Sequence, residues 1–160
     1  MWEYTSKNSY PNISLHDCRI EGIRLEDQDV IFEFDDNGFW IGRDHPQNLF
    51  GETLRTDNAE LRLINIDSDL LFINIHNKLR FAKIKLFTIR KKVSLEDFIA
   101  KVNSGKWKFE FVDEYYGYHR AMFCGCLLTN RKPYLIDAQI EVYYEESQYY
   151  WNKIYPDRTW

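Results

Sequence analysis

Between Tyr134 and Tyr144 apolar and polar residues alternate with a period of two. Tyr134, Ile136, Ala138, Ile140, Val142 and Tyr144 fall on one side, and Asp137, Gln139 and Glu141 on the other. Successive side chains of a strand face opposite ways, so this pattern describes a ribbon with one buried and one wet face. Such half-wet strands belong in antiparallel sheets, because parallel strands are normally covered on both faces.

The same rhythm recurs along the chain. Strands are predicted over 18–25, 30–34, 59–66, 70–75 and 79–89, around Trp107, Phe109 and Phe111, and over 121–128. The last is apolar on both sides and so is expected at the centre of a sheet. Asn37-Gly38 favours a type I′ hairpin that would put Phe32 and Phe34 on one face with Phe39 and Ile41. Asp67-Ser68 and Asn77-Lys78 are predicted as further turns. One segment breaks the rhythm. Ser94 is an N-cap, Glu96 and Asp97 suit a helix N-terminus, and Leu95, Phe98, Ile99 and Val102 share one helical face ahead of Gly105. A helix is predicted at about 94–104, and a short second one over 147–155, stopped by Pro156. The expected fold is mainly β, an antiparallel two-sheet sandwich, roll or open barrel, formed by residues 1–160 as a single domain.

Charge is sorted along the chain. Ten Lys and Arg between Lys78 and Lys108, against only Glu96 and Asp97, give that segment +8, while the chain of 160 residues carries −4 and the remainder therefore −12. Surfaces of opposite sign steer partners. The aromatic fraction of 17% is high, and with seven Gly and four Pro there is little material for a disordered linker. The first residues lack a basic start and an apolar core, and no apolar run approaches the ~18 residues of a membrane span. A soluble, cytoplasmic protein without a membrane partner is expected. Three cysteines do not make a disulfide framework.

Four groups of residues could carry chemistry. His16, Cys18, Cys124 and Cys126 offer two soft-ligand pairs at strand spacing, which would bind zinc if the pairs met, although buried cysteines more commonly pack as small hydrophobes. His45 beside Asp44, and His119 after Asp113 and Glu114, are unpatterned acid–base pairs. No nucleophile elbow, zinc-protease, P-loop or dinucleotide fingerprint is present, so no catalytic residue and no cofactor is assigned. Lys78, Arg80, Lys83, Lys85, Arg90, Lys91 and Lys92, with Phe81 and Phe87 between them, could hold single-stranded nucleic acid through 78–92. The acidic total instead favours outward strand positions paired with neighbouring acids. The last group is the C-terminal quarter, where Glu141, Tyr143, Glu145, Glu146, Tyr149 and Trp151 combine orienting charge with large, stiff anchors suited to a basic protein partner.

The run Ser14-Leu15-His16-Asp17-Cys18-Arg19-Ile20, followed by an acidic strand pair and Asn37-Gly38-Phe39, resembles the opening of small bacterial immunity-type domains, the cytosolic antidotes of polymorphic toxin systems. The resemblance covers residues 14–41. It implies a β-rich, often acidic domain that blocks a toxin by binding it, with no catalytic residues. The reading favoured for the chain is thus a non-enzymatic protein-binding domain, with a ligand- or zinc-binding protein and a nucleic-acid binder as alternatives.

Overall fold

A computed structural model describes residues 1–81 and 84–160, with side chains described outside 77–87. The strands are β1 (Tyr4–Lys7), β2 (Ile13–Ser14), β3 (Arg19–Glu26), β4 (Asp29–Phe34), β5 (Trp40–Ile41), β6 (Leu54–Thr56), β7 (Glu60–Ile64), β8 (Phe72–Phe81), β9 (Ile84–Val93), β10 (Trp107–Gly117), β11 (Arg120–Thr129), β12 (Leu135–Tyr143), β13 (Glu146–Trp151) and β14 (Ile154–Thr159). The single α-helix among the described residues, α1 (Leu95–Asn103), lies between β9 and β10.

Ten strands form one antiparallel sheet in the order β1-β13-β7-β4-β3-β10-β11-β12-β8-β9, and a four-stranded sheet follows the order β14-β6-β5-β2. Only Phe109 with Ile20 and Glu110 with Arg19 pair across the β3–β10 junction. The large sheet folds over at this narrow seam, so its two halves face each other across a shared core. Phe32 of β4 meets Phe111 and Phe123 edge-on, each with ring centroids 6.3 Å apart. Phe34 lies 5.8 Å from Phe111. β12 and β13 stand eighth and second in the order, yet only Tyr144 and Glu145 separate them in the chain. The sheet therefore curls far round without closing into a barrel.

The inward faces follow the alternation in sequence. On β12, Ala138, Ile140 and Val142 are buried, and on β11 so are Ala121, Phe123 and Leu127. β11 lies inside the sheet, as its two-sided apolar character requires. The helix is capped by Ser94, whose hydroxyl accepts from Asp97 N–H, and Gly105 supplies the left-handed stop at φ +68°. Its buried Phe98 packs edge-on to Phe109, and Asn103 grips β3 by accepting from Ile23 N–H at 2.8 Å and donating to Ile23 C=O at 2.9 Å.

Three expectations are corrected. Residues 147–155 form no helix, because Ser147, Tyr149 and Trp151 point inward in strict alternation along β13, and Pro156 sits in β14, an edge strand that needs no hydrogen bond from it. Asn37-Gly38 closes no hairpin, since β4 and β5 belong to different sheets. Only Gly38 of the pair is left-handed, at φ +50°, and a Cβ there would lie 1.9 Å from Asp57 C=O. Phe34 and Phe39 still meet edge-on at 5.7 Å across the turn. Finally, β8 runs straight through Asn77-Lys78, which pair with Ile89 and Thr88.

One irregularity decides what the core contains. β10 slips register against β11 between Phe111 and Asp113, so Phe111 opposes Gly125 while Glu114 opposes Phe123. The bulge at Val112 moves the inward set from odd to even positions and turns Glu114 and Tyr116 toward the interior. Gly125 is required at this crossing, because a Cβ on it would sit 2.1 Å from Glu110 C=O.

Candidate functional site

Three connections converge at one end of the folded sheet: the β10–β11 turn Tyr118-His119, the β12–β13 link Tyr144-Glu145, and the segment after β7. His119 adopts φ +52° and stitches two of them together. Its carbonyl accepts from Tyr144 N–H at 3.1 Å, and its Nδ1 lies 3.2 Å from both the Tyr144 and Glu145 carbonyls. Two carbonyl neighbours place the proton on Nδ1. The third connection is tied in by Glu145 N–H to Ile64 C=O at 2.9 Å and Asp67 N–H to Tyr143 C=O at 3.0 Å. Asn65 Nδ2 donates to Glu145 Oε2 at 2.8 Å, and Asp67 caps the short 3-10 turn Ser68–Leu70.

These connections enclose a two-lobed groove. The larger lobe, about 420 Å³, is lined by Asn65, Asp67, His119, Tyr143, Tyr144 and Glu145. The smaller, about 290 Å³, shares His119, Tyr144 and Glu145 and adds Tyr10, Tyr116 and Tyr118 among its walls. Among the described residues, no Lys or Arg lines either lobe. Tyr10 rests on Tyr116 at 4.4 Å, and Tyr118 stands out at the rim with 92% of its surface exposed.

Beneath the smaller lobe lies a buried polar chain. The Tyr116 hydroxyl donates to Glu114 Oε2 at 2.8 Å and lies 3.3 Å from the Tyr149 hydroxyl, while Leu15 N–H donates to Glu114 Oε1 at 2.8 Å. Burial pushes the Glu114 carboxyl above the usual carboxylate range, and raises the phenols of Tyr116 and Tyr149 as well.

The predicted contact residues divide between surface and core. Glu145 lines both lobes, and Tyr143 lines the larger. Glu141 pairs with Arg120 at 2.6 Å, and that guanidinium lies over the Tyr143 ring at 5.4 Å. Glu146 faces β1, where Lys7 bonds it at 2.9 Å, and hydrogen bonds from Gln148 and Lys7 hold its carboxyl below the ordinary range. Tyr149 and Trp151 are corrected. Both are fully buried, edge-on to Phe39, so they build the core and offer a partner no surface. Asn65, Asp67, Tyr10, Tyr116 and Tyr118 were not foreseen as site residues. The run Asp113 to His119 held the only local signal, and it does not reveal the bulge.

The soft-ligand residues do not gather. Cys18 joins the core, where Arg55 Nη1 donates to its sulfur at 3.0 Å and burial pushes its thiol up to about 12. Cys124 and Cys126 alternate with the core residues of β11 and so face away from it, into a hollow of about 550 Å³ shared with His76, Asp113 and Asp137. Burial raises both thiols. His16 bonds Val112 C=O through Nδ1 at 2.5 Å. Among the described residues no three His, Cys, Asp or Glu are placed to hold a metal ion. His45 is buried and pairs with the Ser6 hydroxyl at 3.0 Å, and burial lowers its pKa. The side chains of Lys78, Arg80, Phe81, Lys83, Lys85 and Phe87 lie outside the described residues. Arg90, Lys91 and Lys92 occupy the edge strand β9 opposite His76, Ile75 and Asn74, so the cross-strand acids expected beside them are not their register partners. No described helix is long and apolar enough to cross a membrane. Comparison with known proteins finds no matching family model, no matching curated protein and no matching solved structure.

Proposed function

We propose that this chain is a non-enzymatic protein-binding domain of the immunity type, and that it acts by covering a basic surface of another protein with the groove at the β12–β13 link. The observation that carries this reading is the groove's composition: Asp67, Glu145 and a series of tyrosines, with no lysine or arginine among the described residues of either lobe. Tyrosine supplies stiff, amphipathic contact area at low entropic cost, and carboxylates around it attract and orient a cationic surface. The immunity-type assignment rests on the resemblance of residues 14–41 alone.

Glu141 and Glu146 take a different part from Glu145. Each already has a cation, Arg120 and Lys7 respectively, so they shape the potential around the groove while Glu145 meets the partner. Stopped-flow association with a fluorescein-labelled peptide alternating lysine and glycine tests this. Glu145→Lys is expected to slow association about tenfold at low salt and to flatten its salt dependence. Glu52→Lys, at an exposed acid outside the groove, is expected to leave the rate near that of the parent. Equal effects of the two substitutions, or none from Glu145→Lys, would reject the groove as the contact surface.

A further inference from the structure

We propose that the smaller lobe is a receptor for an alkylammonium group, and that its occupant is the side chain of a lysine, plain or N-methylated, carried by the protein partner. The inference rests on the protein-binding reading and specifies the group recognised.

Tyr10, Tyr116, Tyr118 and Tyr144 line this hollow of about 290 Å³ together with Glu145. Aromatic faces attract cations through their quadrupole, and a box of rings with one carboxylate is the arrangement that receives ammonium heads. The hydroxyl of Tyr116 is already spent on Glu114 and Tyr149, so the hollow receives its ring and not its polar end. His119 turns its Nδ1 proton to the Tyr144 and Glu145 carbonyls, away from competition for the Glu145 carboxylate.

Ammonium fits this site better than guanidinium. Arginine gains its advantage from flat, two-point pairing with a carboxylate. Here Glu145 is the only carboxylate among the described residues of the lobe, and its Oε2 already accepts from Asn65. One oxygen and several rings suit a compact charge instead. The entrance is formed by the most exposed of the four tyrosines, Tyr118, on a two-residue turn. Substitution there does not disturb the core.

The test uses Nα-acetyl-lysine methylamide, its trimethyl-lysine counterpart and the neutral norleucine analogue, each titrated while the tyrosine ring resonances are followed by NMR. Saturable shifts with both cations and none with norleucine are expected. Tyr118→Ala and Tyr10→Leu should each weaken binding about threefold or more, with unchanged far-ultraviolet dichroism. Both cations should also displace the labelled lysine–glycine peptide. Norleucine binding as well as lysine would overturn the proposal, since a greasy pocket would explain it. Binding of the cations without displacement of the peptide would overturn the partner-borne source and leave a site for a free small cation. If Glu145→Lys slows peptide association while Tyr118→Ala and the cation probes have no effect, the receptor is rejected and the protein-binding reading stands.

Discussion

Glu114 reaches the interior because β10 bulges two residues earlier, at Val112. It stays there because Leu15 N–H and the Tyr116 hydroxyl bond both its oxygens. Burial nevertheless raises its pKa, so the folded state holds that proton more tightly than the unfolded chain does. The contribution to stability is therefore fully present below the ordinary carboxylate pKa. It declines as pH rises from there through the raised folded value, and is constant above it. Glu114→Gln should remove this component, so that the difference in urea midpoint between parent and variant shrinks or reverses across that window. A difference independent of pH would show that Glu114 does not titrate within it. Alternation carried forward from Phe109 and Phe111 places Asp113 inside. The residue that does enter is legible only once the bulge is known, and bulges leave no mark in the hydrophobic pattern.

At the level of elements, strands whose two faces differ strongly were legible, and so was the capped helix. Ser94, Glu96, Asp97 and Gly105 each occupy a position where only a helix end needs them, and α1 forms between them. Ser94→Ala is expected to cost about 1 kcal/mol in chemical denaturation, and Ser94→Asp to restore most of it. A loss near zero would mean that the Asn103 clamp on β3 suffices to hold the helix. β13 was misread for a definite reason. Tyr150, Trp151 and Ile154 match one side of a short helix, but Ser147, Tyr149 and Trp151 match a strand just as well. Six residues do not decide between the two periods. Burial of Tyr149 and Trp151 against Phe39 settles the choice in the folded chain, and it leaves neither residue at the surface. Tyr143 and Glu145 line the groove because they flank the end of β12.

For the whole molecule, strand order was not legible, since pairings such as Tyr4 with Trp151 join residues that no local pattern links. What was legible is the amount of surface to be buried, and a single cluster contains Ile23, Phe32, Phe98, Phe123, Ile140 and Trp151 from both halves of the large sheet, from α1 and from β13. Because the halves share that cluster, tryptophan fluorescence and far-ultraviolet dichroism should report coincident unfolding in urea. Two separated transitions would mean that the seam between β3 and β10 divides the molecule. The edge strand β9 presents Arg90, Lys91 and Lys92, and a row of cations discourages the strand of another molecule from adding on. Part of the basic segment is thus accounted for without a ligand.

Among the described strands β1 pairs with β13 alone, and that neighbour is synthesised some 140 residues later, since Lys7 pairs with Gln148. On the ribosome, β1 must wait, unsecured, until its partner strand has been made. Tyr4, which stacks on Trp151 once the partner comes, is meanwhile open to chaperones and proteases. The pace of translation, more than any local preference, sets how long that exposure lasts.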